Sequence, residues 1–269
     1  DRRSPLVERD EASAFSELEL MSSDPITVVL SEKGWIRAAK GHEVDPSSLS
    51  YKSGDGFKLA ARGRSNQSAL VIDSTGRAYT VQTHNLPSAR GQGEPLTGRI
   101  NPPSGATFEG LLLGDGSQSC LLVSGAGYGF VTKLADLQTK NRSGKAALSL
   151  PAGSKVVAPV VVTEDGKWVA AVSNEGRLLL FLLAELPTLS RGKGNKLLSI
   201  PSARAKSGEE YVVSVAVLRE DDALTLWAGK RHLTLKRSEL DHYRGERGRR
   251  GNKLPRGFQR VDRMGVAEN

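Results

Sequence analysis

ALVIDSTGRAYTV, residues 69–81, is the stretch whose reading decides the fold. An apolar run, Ala69 to Ile72, meets the polar turn Asp73-Ser74-Thr75-Gly76 and resumes through Ala78, Tyr79 and Val81. A polar turn ending in glycine between two short apolar runs is the mark of a β-hairpin, where glycine takes a positive φ that a Cβ would resist. The same arrangement returns as ITVVLSEKGWIRAAKG from Ile26, CLLVSGAGYGFVTKL from Cys120, WVAAVSNEGRLLLFLL from Trp168 and ALTLWAGKRHLTLKR from Ala223. The turn glycines Gly34, Gly76, Gly127, Gly176 and Gly229 lie 42, 51, 49 and 53 residues apart. A strand-built repeat of roughly 40 to 50 residues is the sequence sign of radially stacked blades. The expectation is an all-β, propeller-like disc of five blades. Six blades stay open because the first repeat is incomplete and residues 201 to 222 are ambiguous, and closure of the ring is equally open.

Each outgoing strand is followed by a leucine-bearing step and a basic loop: NLPSARGQGEPL from Asn85, DLQTKNRSGKAAL from Asp136, ELPTLSRGKGNKLL from Glu185 and ELDHYRGERGRRGNKL from Glu239. In each, a leucine (Leu86, Leu137, Leu186, Leu240) precedes the first arginine (Arg90, Arg142, Arg191, Arg244) by four or five residues. The first repeat carries only AAKGHEVD, so its blade is either atypical or completed by another part of the chain, as terminal repeats often are. If every blade contributes one such loop, the loops line a rim, and a duplex following that rim is bent.

Residues 1–24 carry seven acids against three arginines, with loose helical spacing, and read as a linker or the end of an upstream domain. Residues 25–263 read as the β domain and 264–269 as a tail. The whole chain is +8, and between Lys230 and Arg263 twelve Lys or Arg face four acids. Such charge suits a polyanion, with a solvated basic surface as the competing reading. Aromatics are 5% of the chain and do not cluster in the basic loops, which argues against single-stranded nucleic acid as the main ligand. The three tryptophans, Trp35, Trp168 and Trp227, are expected to serve blade packing.

Catalytic constellations are missing from the sequence. The glycines of Gly125 to Gly129 sit inside a strand-turn-strand pattern with no helix after them, so they read as a hairpin turn and not as a nucleotide loop. His42, His84, His232 and His242 lack metal-ligand spacing, and the single cysteine, Cys120, reads as a small core residue. Neither a metal nor a cofactor is expected. No apolar stretch approaches the roughly 20 residues that span a bilayer, and no signal-peptide pattern opens the chain, so a cytoplasmic location is expected.

TVVLSEKGWIRAAKGH from Thr27, RSNQ from Arg64, LPSARGQGEPLTG from Leu86, AGYGF from Ala126, LSRGKGNK from Leu189 and GERGRRG from Gly245 give the chain a close resemblance to a known family. It resembles the C-terminal domains of bacterial topoisomerase IV A subunits (ParC), relatives of the gyrase A C-terminal domain. The resemblance implies a β-pinwheel, a disc whose blades exchange strands and whose basic outer edge binds and bends double-stranded DNA. It also implies two protein partners, the N-terminal part of the same polypeptide and the topoisomerase IV B subunit. A nucleoid-associated place in the cell is implied as well. Gyrase A subunits carry a QRRGGKG box in the first blade, and no loop here matches it: RGQGEP at Arg90, RGKGNK at Arg191 and RGRRGN at Arg247 look like degenerate versions. That departure favours topoisomerase IV over gyrase. The cleavage tyrosine of the parent enzymes belongs to the N-terminal part, and none of Tyr51, Tyr79, Tyr128, Tyr211 and Tyr243 lies in a recognisable cleavage motif, so the fragment is expected to present DNA without cutting it. Candidate phosphate contacts are Arg62, Arg64, Arg90, Lys140, Arg142, Lys145, Arg191, Lys193, Lys196, Arg244, Arg247, Arg249, Arg250 and Lys253. The alternative from another class is a propeller-like protein-interaction module.

Overall fold

The computed structural model describes residues 22–268. Five antiparallel sheets follow one another along the chain. In each, a hairpin forms the centre. The first blade pairs β1 (Pro25–Ser31) with β2 (Trp35–Lys40), and the second β4 (Ser68–Asp73) with β5 (Arg77–Gln82). The third pairs β8 (Ser119–Val123) with β9 (Tyr128–Lys133), the fourth β12 (Trp168–Ser173) with β13 (Arg177–Leu182), and the fifth β16 (Leu224–Ala228) with β17 (Arg231–Leu235). A third strand lies against the incoming member of every hairpin: β3 (Phe57–Arg64), β7 (Phe108–Leu113), β11 (Val160–Val161), β15 (Val212–Leu218) and β19 (Arg263–Val266). These third strands touch one another from blade to blade, β3 with β7, β11 with β15 and β15 with β19, so they are the inner strands of the disc.

The turn chemistry behaves as the sequence implies. All five turn glycines have positive φ, from 61° at Gly229 to 91° at Gly127. In the second blade the turn is locked from inside: the fully buried Asp73 carboxylate accepts from the Thr75 N–H (2.8 Å), the Thr75 hydroxyl (2.6 Å), the Arg77 N–H (3.1 Å) and the Tyr79 hydroxyl (2.6 Å). An aspartate buried with four donors carries little desolvation penalty. Burial and this carboxylate together raise the Tyr79 phenol well above its usual pKa.

Alternate residues of the central strands face opposite neighbours, which is why the strands read as continuous apolar runs. Ala69 and Val71 pack with Val28, Leu30 and Ile36 of the first blade, whereas Leu70 and Ile72 pack with Cys120, Leu122 and Phe130 of the third. Leu121 and Val123 join Val169, Ala171 and Phe181, and Ala170, Val172 and Leu178 join Leu224 and Leu226. Four cores thus join five blades in series, and among the described residues none joins the fifth to the first. The ring is not closed by a core. At one end of the series the buried Arg37, 2% exposed, lies against the Tyr51 ring, and at the other the Thr225 and Thr234 hydroxyls are hydrogen bonded.

The boundaries expected from the sequence need correction. β19 continues through Val266 by pairing Met264, Gly265 and Val266 with β16, so residues 264–266 belong to the fifth blade and not to a tail. Ser65 ties Ser22 and Asp24 to the first blade, so the fold begins ahead of residue 25, while residues 1–21 of the expected linker lie outside the described residues. Residues 201–222, ambiguous in sequence, form a short helix Ser202–Ser207 and the inner strand β15. Among the described residues no helix is long and apolar enough to cross a membrane.

Candidate nucleic-acid interface

The basic loops do not stay with their own blades. After each hairpin the loop returns to the preceding blade and adds a two-residue outer strand there: β6 (Glu94–Pro95) on β2, β10 (Lys145–Ala146) on β5, β14 (Asn195–Lys196) on β9 and β18 (Asn252–Lys253) on β13. The incomplete first repeat is therefore finished by the second. With the inner strands at the axis, these four donated strands form the rim.

Two features of sequence build each donation. A second glycine precedes the donated pair: Gly194 sits at φ 78° with its Cα against the Gly129 backbone, where a Cβ would overlap the Gly129 carbonyl oxygen, and Gly144 meets Ala78 in the same way. The recurring glycines of the basic loops therefore have a structural duty, bringing one backbone against another. The residue after each turn glycine then receives the incoming strand. Arg77 donates from Nε and NH2 to the Ser143 carbonyl (3.0 and 2.9 Å) and Arg177 from NH1 to the Gly251 carbonyl (3.2 Å). At the equivalent place in the other two blades an aromatic ring lies beneath lysines: Tyr128 under Lys193 (4.3 Å) and Lys196 (5.8 Å), Trp35 under Lys52 (3.7 Å). Arg77, Arg177 and Tyr128 were not among the sequence candidates. Their shared place, one residue past each turn glycine, was the available signal.

Neighbouring loops are also hydrogen bonded to each other. Asn101 N–H donates to the Arg142 carbonyl (2.8 Å), Ser149 N–H to Gly192 (2.9 Å), Gly248 N–H to Leu197 (2.8 Å) and Ser199 N–H to Arg249 (2.9 Å). The rim is thus a continuous belt running from the first basic loop to the fourth, with main chain fixed at every junction.

Twelve of the fourteen sequence candidates lie on these loops; Arg62 and Arg64 do not. They occupy the inner strand β3, where Arg64 NH1 donates to the Ser23 carbonyl (2.6 Å), because RSNQ is the turn between blades and not a rim loop. The rim cations also differ among themselves. Arg90, Lys140, Arg191, Lys193, Lys196 and Lys253 are exposed, and among the described residues none forms an ion pair. Arg142 and Lys145 donate to the carbonyls of Gly98 (2.9 Å) and Asp136 (2.5 Å), which leaves their charge uncompensated. In the C-terminal loop, by contrast, Arg244 pairs with Asp241 (3.1 Å), Arg249 with Glu246 (2.7 Å) and Arg250 with the fully buried Glu210 (2.5 Å). Arg247 spends NH1 on the Lys196 carbonyl (2.7 Å). Three arginines of the C-terminal loop are therefore ion-paired, whereas among the described residues Arg247 and Lys253 keep their charge uncompensated, as do Arg191, Lys193 and Lys196 of the loop before it.

Trp168 packs against the core between the fourth and fifth blades, as expected, and all three tryptophans also serve as platforms for cations. All three are half-buried, and each lies beneath a cation: Lys52 over Trp35, Arg244 over Trp168 (4.2 Å) and Arg263 over Trp227 (3.8 Å). Next to Trp168, Lys167 and Arg237 hold the Glu220 carboxyl down at a pKa of about 2 through hydrogen bonds from both cations. Burial pushes the Cys120 thiol up to about 12, in keeping with a core residue. Among the described residues no three His, Cys, Asp or Glu side chains converge as metal ligands.

Comparison with known proteins agrees with this geometry. The family described as "DNA gyrase C-terminal domain, beta-propeller" matches residues 118–163 and 167–219. The A subunit of DNA topoisomerase 4 from Pseudomonas aeruginosa is 62% identical over 98% of this chain, and its counterpart from Escherichia coli K12 is 49% identical over 99%. The chain covers 35% of each, so it spans about a third of the length of the curated relatives it matches. Among solved structures, the E. coli ParC C-terminal domain superimposes with a TM-score of 0.79 at 47% identity, over 92% of this chain and all of that one. A DNA gyrase A C-terminal domain shares the fold, with a TM-score of 0.67 at 16% identity, over 88% of this chain and 81% of that one.

Proposed function

The chain belongs to the family of C-terminal domains of topoisomerase IV A subunits, and from that membership we propose that it holds duplex DNA along its rim and bends it. In the whole enzyme it would present the transported segment to the N-terminal part of the same polypeptide. It would work there with the topoisomerase IV B subunit in ATP-dependent decatenation and supercoil relaxation in the cytoplasm. The fragment itself contributes binding and shape, not strand cleavage. The single observation that carries this reading is the belt: loops from successive repeats are hydrogen bonded side by side, and each brings cations to the outer edge.

Physically, cations fixed in a row along a curved edge bind phosphates and release counterions, and a stiff duplex can reach several of them only by bending. Main-chain anchoring makes the row preorganised. Contacts to phosphate carry little sequence information, so the preference is for deformable or already curved DNA. The test is fluorescence anisotropy of the chain with a labelled linear duplex across a salt series. Affinity is expected to fall by about 0.9 log units per log unit of salt for each phosphate contact. An affinity that barely moves with salt overturns the proposal. A protein-interaction role has one observation in its favour, the outer edge of the fifth blade.

A further inference from the structure

Blades one to four end in an outer strand supplied by the next repeat, and blade five ends at β17. The recipe for a donor is written four times in the chain. A glycine at positive φ (Gly93, Gly144, Gly194, Gly251) precedes two residues that pair with the start of the acceptor strand. An apolar residue follows, whose N–H donates to the carbonyl of the acceptor's turn glycine: Leu96 to Gly34, Leu148 to Gly76, Leu197 to Gly127 and Leu254 to Gly176, each at 2.7 to 2.9 Å. Three of the four donors read Gly-x-x-Leu, and the second is one residue longer.

The fifth acceptor has the same start and no occupant among the described residues. Gly229 has open space where a Cβ would point, whereas at Gly76, Gly127 and Gly176 that space holds the incoming backbone. Among the described residues its carbonyl accepts no backbone hydrogen bond, and the outer edge of Arg231–Leu235 is unpaired. In a closed ring the loop after the first hairpin would serve this edge. Here that loop is short: Gly41 still donates to the Pro25 carbonyl of its own blade, and the chain turns at once into the helical turn Pro46–Ser48. Residues 1–21 contain no glycine, and all four donor segments are already engaged.

We propose that the outer edge of β17 is a docking site for an extended segment of another protein that carries the Gly-x-x-Leu pattern and adds as the missing fourth strand of blade five. Strand addition to an exposed sheet edge takes its affinity from main-chain hydrogen bonds and its selectivity from the side-chain positions. Lys230, Arg231 and His232 discourage indiscriminate pairing at this edge, so the glycine and the leucine must supply the register. Because the first donated residue approaches the acceptor backbone, a side chain in the glycine position is excluded, as at Gly93, where a Cβ would lie 2.5 Å from the Ile36 carbonyl oxygen.

The test titrates the 15N-labelled chain with the peptide GQGEPLTG, the sequence of residues 91–98, whose glutamate complements Lys230 and Arg231. Amide shifts are expected at Gly229 to Leu235, and a peptide with valine in place of Gly93 is expected to bind at least tenfold more weakly. No shifts at millimolar peptide, equal binding of the two peptides, or shifts spread over the basic rim would each overturn the proposal. DNA affinity measured on the same chain is expected to be unaffected by the peptide, so this inference and the DNA reading stand or fall separately.

Discussion

Arg250→Met separates a phosphate contact from a structural ion pair. Arg250 NH2 lies 2.5 Å from the Glu210 carboxylate, which is 0% exposed, and NH1 donates to the Ser199 carbonyl at 3.1 Å. Among the described residues the only other cation on that carboxylate is Arg204, at 3.5 Å, and Glu210 Oε1 is already without a hydrogen-bond partner. Removing one member of a buried pair typically costs about 3–5 kcal/mol, because the remaining charge stays buried. Arg250 is itself one-third exposed and Arg204 remains, so about 2–3 kcal/mol is expected here. At about 2–4 °C per kcal/mol for a domain of this size, Tm falls by about 4–12 °C. Adding Glu210→Gln to the variant should recover part of the loss, since a neutral amide is easier to bury than an unpaired carboxylate. Circular-dichroism melts read the stability, and anisotropy at a temperature where the variant is folded reads the salt slope, which should barely change. If Arg250→Met melts like the parent and lowers the salt slope by about 0.9, Arg250 is a phosphate contact and the buried pair carries no weight.

The complementary variant, Arg191→Gln with Lys193→Gln and Lys196→Gln, should leave Tm nearly unchanged and lower the salt slope by about 2.7, at 0.9 per lost contact; anisotropy across a salt series checks it. Gly76→Val places a side chain on the Leu148 carbonyl as well as in a left-handed backbone, and is expected to cost more than about 3 kcal/mol in urea denaturation. Gly229→Ala, with free space at its Cβ, should cost about 1–2 kcal/mol for the backbone alone. Because the Glu220 pKa is lowered from 4.5 to about 2, its ion pairs stabilise the fold above pH 4.5 and lose that effect as pH falls toward 2. The Tm difference between the parent and Glu220→Gln should therefore shrink across that window, and a constant difference would contradict the assignment. Cys120 should resist thiol reagents at pH 8 until the chain is unfolded, as a reagent assay with and without urea would reveal.

How much of this was legible beforehand differs sharply between the hairpins and the rim. DSTG at residues 73–76 announces its turn because every group involved lies within seven residues: Asp73, Thr75, Arg77 and Tyr79 satisfy one another locally. The period of the turns likewise discloses a repeat of at least five blades, with a sixth left open until residues 201–222 were seen to form the inner strand β15. The basic loops were legible as loops, and their glycines were visible, yet the reason for those glycines was not. Gly194 is required by the backbone at Gly129, 65 residues earlier in the chain. The sequence also hides which cations are ion-paired. Net charge singles out residues 230–263, but Glu210, the partner of Arg250, is 40 residues away and lies in a stretch that sequence left ambiguous.

By itself, then, the amino-acid order determined the repeat, the hairpins, the all-β class, the likeness to topoisomerase IV and the placing of basic loops at a common period. These are local or periodic properties, set by turn chemistry and by apolar runs that recur at a fixed interval. Only the tertiary structure decided that each loop completes the preceding blade, that the loops join into one belt, and that Arg62 and Arg64 lie off it. It also decided which cations keep their charge for a ligand and that blade five keeps an open edge. Each of those outcomes depends on groups roughly 40 to 75 residues apart, brought together by strand exchange, and no local pattern of residues encodes such a meeting.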